Sequence, residues 1–423
     1  MTTETRYPLD HAELFRLAVL CLLLGQMFVY YDTATKTIPH INLYLLGNLL
    51  LIVLALLPGR RAAALLWALV WPAGAFLRWD WAVRPTNSDV FWATSQGVDF
   101  LLHGLNPYTQ PPTWVYQHQP GISNYPNYSY FPGALFAEIP FYLLGNVRLG
   151  LAVADLGTAV LLYLLARPRI GVWPARAVAA GWLLFLPAFQ VPMLLAVVDF
   201  LLLFWITLAV WLYSRGHPVW SALAAAIACA TKQYGFLFAA PWGILLLQPM
   251  LATLRGRWQA GERGRRLLDG ISSRVWLSPI TEASAVVLII LPLALLSPKA
   301  FVDATIGHHA SYLPDPMMGT PQWNQSITAQ MVGLGWMEIH AAARLAAVLM
   351  PLLLLAVLLA ALIKTRDAAS ALRWSALAVA VLFAFSNVRV QFFYWRLPLL
   401  LAILAYIYYS RQRPDNEPAA APD

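Results

Sequence analysis

The strongest constraint on the fold of this chain is a series of long apolar segments that recurs along most of its length. A helix needs about 20 apolar residues to cross the hydrocarbon core of a bilayer, and fewer where neighbouring helices bury its ends. Only 11% of the residues are charged, against about 25% in an ordinary soluble domain, which excludes a cytosolic globular enzyme. We therefore predict an all-α polytopic membrane protein with about 11 to 13 transmembrane helices, forming one domain over 1–410 and ending in a disordered cytoplasmic tail at 411–423. The candidate spans are 12–30, 43–58, 62–79, 132–145, 150–166, 176–190, 194–213, 219–231, 235–250, 281–297, 341–363, 371–388 and 392–409.

Positive charge is concentrated in a few connections between these segments, and its distribution predicts how the bundle is oriented. The range 251–278 contains six arginines and only two acidic residues, and further basic pairs lie at 60–61 and 364–366. Because cytoplasmic loops carry an excess of Lys and Arg, we expect these connections in the cytoplasm. The two long connections, 80–131 and 298–336, contain one basic residue each and are predicted to be extracytoplasmic. The net charge of +8 is thereby explained without a nucleic-acid partner, and none is expected.

Three arginines near the middle of the chain conflict with the simplest count of spans. Arg167, Arg169 and Arg176 are expected on the cytoplasmic side, but they fall outside if both 132–145 and 150–166 cross the membrane. Either one segment in this part of the chain is re-entrant or interfacial, or the charge rule fails locally.

The first long connection contains a pattern typical of an amphipathic helix. Ser88 is a candidate N-cap, and Gly104 is a candidate stop before the Asn-Pro turn at 106–107. The apolar residues between them fall on one broad face, which predicts a helix lying at the membrane surface. Asp89 falls in its first turn, at the mouth of the third span, where water meets hydrocarbon.

Four short motifs resemble those of a known family. Asp89 and the aromatic helix after it lead to His-Gly-Leu-Asn-Pro-Tyr at 103–108, and Tyr-Ser-Tyr-Phe-Pro, Thr-Lys-Gln-Tyr and Asn-Gln-Ser-Ile follow at 128–132, 231–234 and 324–327. In this order they resemble glycosyltransferase family 87 of the GT-C superfamily, over roughly residues 80–330. The chain departs from the family at Gly133, where the family has a second proline. It departs again at Ala-Val-Val-Asp, 196–199, where a Gly-Gln-x-Asp element is common.

The resemblance implies a GT-C-like bundle in the plasma (inner) membrane that transfers a sugar on the extracytoplasmic side. The expected reaction transfers a hexose, with mannose as the favoured sugar, from a polyprenyl-phosphate donor to a lipid or glycan acceptor, and it inverts the anomeric configuration. Membrane lipids are expected to surround the protein. One aspartate suffices as general base for the acceptor hydroxyl, and the superfamily's first-loop aspartate corresponds to Asp89. The leaving phosphate needs cationic or polar contacts, and sugar hydroxyls need hydrogen-bonding side chains. The candidate substrate-binding residues are Lys232, His308, His309, Asn324, Gln325, Arg389 and Tyr130, with Arg396 as a further phosphate candidate.

Simpler roles remain open for each of these residues. Asp89 can be a helix cap with no role in catalysis, and Lys232 can extend to the lipid headgroups without contacting a substrate. Asp99 lies roughly 80° around the helix from Asp89, so a structural role is favoured for it. His308 and His309 lack a nearby acidic or cysteine cluster and are poorly spaced for metal. No cofactor is therefore predicted, although a divalent cation could assist the phosphate.

A second class of function is also compatible with the chain. A transporter or flippase of lipid-linked glycans has short, interrupted helices and buried charges as well. Such a protein would be expected to show similar hydropathy in its two halves, which this sequence does not. A non-catalytic scaffold of an envelope-assembly complex is a third possibility.

Overall fold

The described part of the protein is all-helical and contains no strand, which confirms the all-α prediction. A computed structural model describes residues 10–37, 41–121, 127–185, 190–261, 273–307, 327–385 and 396–410. Its helices are α1 (His11–Thr37), α2 (Ile41–Leu56), α3 (Arg60–Val83), α4 (Asp89–Leu102), α5 (Thr113–His118), α6 (Pro132–Leu143), α7 (Arg148–Ile170), α8 (Val172–Leu184), α9 (Gln190–Leu195), α10 (Asp199–Ser214), α11 (Pro218–Thr231), α12 (Phe236–Gln259), α13 (Ser273–Leu296), α14 (Pro298–Val302), α15 (Ile327–Gly333), α16 (Ile339–Lys364), α17 (Ala368–Phe385) and α18 (Arg396–Ser410). A 3₁₀ turn, Gln233–Gly235, precedes α12, and a π turn, Asp303–Gly307, follows α14.

Six stretches of helix in the described part are long and apolar enough to cross a membrane. They are Arg60–Val83, Arg148–Ile170, Gln233–Gln259, Trp276–Leu296, Ile339–Lys364 and Ala368–Phe385, and four shorter apolar helices accompany them. The chain is therefore a helical protein built for membrane integration, while the predicted total of about 11 to 13 spans stays a prediction.

Two short helices, α10 and α11, form the centre of the bundle. They are about 24 and 21 Å long at 1.5 Å per residue, less than the thickness of the hydrocarbon core, and other helices cover them. Their buried polar groups bond to one another: the Ser221 hydroxyl donates to the Ala209 carbonyl at 2.8 Å and accepts from the Trp242 indole nitrogen at 2.9 Å. This satisfies groups that hydrocarbon could not.

One end of the bundle gathers the ends of several helices and the first long connection. We call it the loop end and define it by residues 82–89, 127–131, 146–148, 195–199 and 231–235. The Asn146 amide donates to the Ala82 carbonyl at 2.7 Å, and the Ser88 hydroxyl donates to the Leu195 carbonyl at 2.8 Å. The Gln233 amide likewise donates to the Ser129 carbonyl at 2.7 Å.

The position of α6 bears on the conflict between the count of spans and the expected cytoplasmic location of Arg167, Arg169 and Arg176. This helix has only 12 residues, about 18 Å of length, and both of its ends belong to the loop end. Contacts of the residues before and after it hold both ends of α6 at the loop end, so α7 runs away from the loop end and carries Arg167 and Arg169 to the other end. There the Arg169 guanidinium lies 4.3 Å from the ring centre of Tyr408 in the last helix. This arrangement favours the first alternative, in which one segment of this part of the chain is re-entrant or interfacial, and that alternative stays a prediction.

This topology can be tested with single cysteines in a background without Cys21 and Cys229. Leu144→Cys and Thr109→Cys, both at exposed positions, should react with a membrane-impermeant maleimide from the same side of sealed vesicles. Gln259→Cys should react only from the opposite side, because α12 leads away from the loop end. Labelling of Leu144→Cys and Thr109→Cys from opposite sides would show that α6 crosses the membrane.

Candidate functional site

Helix α4 begins at the cap that the sequence indicates. The Ser88 hydroxyl oxygen accepts from the Phe91 backbone nitrogen at 3.4 Å, and Gly104, beyond the helix end, has φ +73°. The helix differs from one lying on a surface, because six successive residues, Ala93 to Val98, are all buried. It is enclosed by its neighbours α5, α6 and α9 and held at the loop end.

Asp89 stands in the first turn of α4 as a half-buried carboxylate. Its Oδ1 accepts from the backbone nitrogen of the next residue at 2.9 Å, and within the described part of the chain it has no cationic partner. The neighbouring acidic residues differ: Asp80 pairs with Arg84 at 2.6 Å, and Asp99 accepts from the Tyr142 hydroxyl at 2.9 Å. Asp89 is thus set apart as a carboxylate available to another molecule, and the structural role favoured for Asp99 fits its contacts.

The motif at 103–108 is hydrogen-bonded to the motif at 128–132. The Asn106 side chain accepts from the Tyr108 backbone nitrogen at 3.1 Å, and the fully buried Tyr108 hydroxyl donates to the Tyr130 carbonyl at 2.8 Å. Burial raises the pKa of the Tyr108 and Tyr128 phenols well above their usual range, so both stay neutral. These contacts fix the backbone that places the Tyr130 ring.

A close approach of two helices joins the motifs at 128–132 and 231–234. A Cβ on Gly133, at the start of α6, would lie 2.6 Å from the Ala230 carbonyl oxygen in α11. The glycine that departs from the family pattern is therefore required by this contact. The Gln233 amide also donates to the Thr305 carbonyl at 2.9 Å, which ties the start of the second long connection to the same place.

Lys232 lies in this junction as a buried ammonium. The residue adopts an extended backbone conformation that ends α11, and its Nζ lies 2.6 Å from Asp199 Oδ2 at the start of α10. Both residues are only 4% exposed, and the Nζ is 5.2 and 4.7 Å from the ring centres of Tyr130 and Tyr234. Extension of Lys232 to the lipid headgroups is wrong, because the side chain is buried and paired inside the protein.

A second buried charge cluster lies one to two helical turns further from the loop end than the Lys232–Asp199 pair. Asp155 in α7 accepts from Arg78 Nε in α3 at 2.6 Å and from the Trp182 indole in α8 at 2.9 Å. Arg396 Nη1, from the last helix, lies 3.0 Å from the other oxygen of Asp155. None of the charged side chains is more than 3% exposed. Two guanidinium groups and one carboxylate leave this cluster with a net charge of one positive unit.

The structure therefore brings together some of the predicted site residues and leaves others outside its described part. Asp89, Tyr130 and Lys232 all lie at the loop end, and Arg396 is next to it. His308, His309, Asn324, Gln325 and Arg389 lie outside the described residues. Within the described ranges, no three His, Cys, Asp or Glu side chains form a group that could hold a metal ion.

Three charged residues of this region were missed as site candidates. Arg78 and Asp155 lie inside apolar segments, and a charge in such a segment is by default a functional-site hypothesis. Asp199 ends the motif that diverges from the family, and Lys232 in an apolar context predicts an acidic partner for its ammonium. Charged residues inside apolar segments are therefore the sequence signal that indicates all three.

The motif that ends at Asp199 also carries backbone strain. Ala196, 1% exposed, has φ +59°, a conformation that costs roughly 1–2 kcal/mol for a residue with a Cβ. The family pattern has a glycine at this position, which would adopt it freely.

No family model matches the chain, and no curated protein sequence is significantly similar to it.

The strain at Ala196 predicts a difference between two alanine-to-glycine substitutions. Ala196→Gly and Ala225→Gly remove equally buried methyl groups, but only the first relieves a left-handed conformation. We expect Ala196→Gly to cost about 2–3 kcal/mol less free energy of unfolding than Ala225→Gly in α11, because it relieves about 1–2 kcal/mol of strain and avoids the roughly 1 kcal/mol that glycine costs inside a helix. Thermal unfolding in detergent, monitored by tryptophan fluorescence, measures both. A difference of about 1 kcal/mol or less would exclude strain at Ala196.

The buried pair at the junction predicts a non-additive loss of stability. Lys232→Met leaves Asp199 as an uncompensated buried charge and should cost about 3–5 kcal/mol, whereas Lys232→Met with Asp199→Leu should recover most of this loss. Lys299→Met, which breaks the exposed pair with Asp303, is the matched control and should change stability little. A double variant as unstable as the single one would show that the pair is not coupled.

Proposed function

We propose that this chain is an integral-membrane glycosyltransferase of the GT-C type. It transfers a hexose, mannose in the first place, from a polyprenyl-phosphate donor to a lipid or glycan acceptor at the loop end, which we place on the extracytoplasmic side of the plasma membrane. The observation that carries the proposal is the state of Asp89. It is half-buried and lacks a cationic partner among the described residues, while acidic groups around it are paired.

An unpaired carboxylate at this position suits a general base. In the proposed reaction Asp89 takes the proton of the acceptor hydroxyl while that oxygen forms a bond to the anomeric carbon. The bond from this carbon to the phosphate oxygen breaks, and the carrier leaves as a phosphate monoester. One displacement inverts the anomeric configuration, so no nucleophile from the protein is needed.

Lys232 at the loop end and Arg396 next to it are suited to the departing phosphate. Fixed positive charge in a region without water is worth more than in solvent and is already oriented before the reaction. Lys232 is held by Asp199, so its ammonium is positioned before a substrate arrives. The aromatic rings of Tyr130 and Tyr234 keep water away from it.

The proposal predicts the effect of a single isosteric change. In proteoliposomes supplied with radiolabelled polyprenyl-phosphate-mannose and a native lipid extract, Asp89→Asn should lower transfer by about 10²–10⁴-fold. Asp80→Asn, which changes a carboxylate that already has Arg84 as its partner, is the matched control and should retain transfer. Both variants are compared at equal amounts of folded, monodisperse protein.

Two results would contradict the proposal in different ways. Full transfer by Asp89→Asn would move the base elsewhere, with Asp99 the next to test. No transfer by the wild type with mannose or a panel of other carrier-linked sugars would favour the flippase, which translocates a labelled lipid-linked glycan without making or breaking a bond.

A further inference from the structure

An apolar groove lies between the first helix, α8 and the last helix, next to the buried arginine of the deeper charge cluster. Its volume is about 290 Å³, close to the lower limit of roughly 300 Å³ for ligand pockets. Apolar residues and one charged side chain form its walls: Leu22, Ala177, Val178, Gly181, Trp182, Phe185, Arg396, Leu399 and Ile403.

The groove opens onto an apolar part of the surface. Phe185 and Leu399, which line it, are 42% and 44% exposed, so a molecule that enters here passes exposed apolar side chains. On the groove wall, a Cβ built on Gly181 meets nothing within 4 Å. The space beside this glycine is open, and its apolar walls suit a hydrocarbon chain.

The inner end of the groove carries positive charge. Arg396 is 2% exposed, and its Nε has no hydrogen-bond acceptor within the described part of the chain. Its cluster has a net charge of one positive unit, because Asp155 is shared with Arg78. A buried guanidinium in this state favours an anionic ligand.

The groove is also connected to the proposed reaction site. The Arg396 guanidinium carbon lies 4.8 Å from the ring centre of Phe200, and Phe200 directly follows Asp199, the partner of Lys232. The first two residues of α10 therefore connect the two sites, because Phe200 contacts Arg396 and Asp199 pairs with Lys232.

We propose that this groove holds the part of the polyprenyl-phosphate carrier's lipid chain that is next to its phosphate, with the carrier phosphate beside Arg396. The inference deepens the proposed function and rests on it for the identity of the lipid. Gly181 provides the space for the chain, and Arg396 provides the charge for the phosphate.

Gly181→Leu tests the chain site without touching a charge. The new side chain fills the open space of the groove, and leucine favours the helical conformation of α8 over glycine. Gly256→Leu, at a helical glycine of α12 with equally open surroundings, is the matched control. Binding of polyprenyl phosphate and of polyprenol to purified protein in nanodiscs is measured by native mass spectrometry.

We expect Gly181→Leu to weaken the binding of both lipids by about tenfold or more, since a few methylene groups lose their burial, and Gly256→Leu to bind as the wild type does. Equal binding by Gly181→Leu and the wild type would overturn the proposal. Phosphatidic acid that competes on equal terms with polyprenyl phosphate would overturn it too, because the groove would then hold a membrane phospholipid.

Arg396→Gln tests the phosphate site. It leaves Asp155 and Arg78 as a neutral pair, so the fold should be kept. The wild type should bind polyprenyl phosphate more tightly than polyprenol, and this preference should disappear in Arg396→Gln while polyprenol binding is unchanged. A preference that persists would place the phosphate elsewhere.

The same lipid-binding assay separates this proposal from the proposed function. If polyprenyl phosphate binds with the expected dependence on Gly181 and Arg396 but no sugar is transferred, the groove stands and the glycosyltransferase does not. If transfer depends on Asp89 but carrier binding is independent of Gly181, the enzyme stands and the groove proposal fails.

Discussion

A charge inside a membrane helix bundle must find its partner on another helix, and the loop end of this protein and the deeper charge cluster next to it are organised around that requirement. Asp155 binds two arginines and a tryptophan and thereby joins α3, α7, α8 and the last helix. Asp199 and Lys232 join α10 and α11 in the same way. With these charges neutralised in part by one another, Asp89 is left at the mouth of the bundle as a carboxylate that another molecule can use.

Side chains of two described motifs donate to the backbone of the motif at 128–132. The Tyr108 hydroxyl donates to the Tyr130 carbonyl, and the Gln233 amide donates to the Ser129 carbonyl and also to the Thr305 carbonyl. Within the described residues, these contacts place the backbone that carries Tyr130 and Lys232. We therefore expect a substitution at Tyr108 or Gln233 to displace Tyr130 or Lys232 as well.

Local features of the fold could be predicted from the sequence, and pairings between distant helices could not. The α4 cap at Ser88 follows from residue types a few positions apart. The position of α6 does not, because a 12-residue apolar helix can cross a thin region or lie at one end of the bundle. The contacts of Gly133 at its start and of Asn146 after its end hold both ends at the loop end. The buried pairing of Asp155 with Arg78, 77 residues away, depends on how the helices pack, which the hydrophobic periodicity of each helix does not predict. Five of the predicted site residues lie outside the described ranges.

The deeper charge cluster is assembled from parts of the chain that are synthesised at very different times. Arg78 precedes Asp155 by 77 residues, whereas Arg396 follows it by 241, which at about 5–20 residues per second is a delay of roughly 12 to 50 s. Without Arg396, Asp155 and Arg78 form a neutral pair. The last helix adds both the excess positive charge and one wall of the groove. Neither the charged end of the groove nor that wall can therefore exist before the residues from Arg396 to Ile403 have been synthesised.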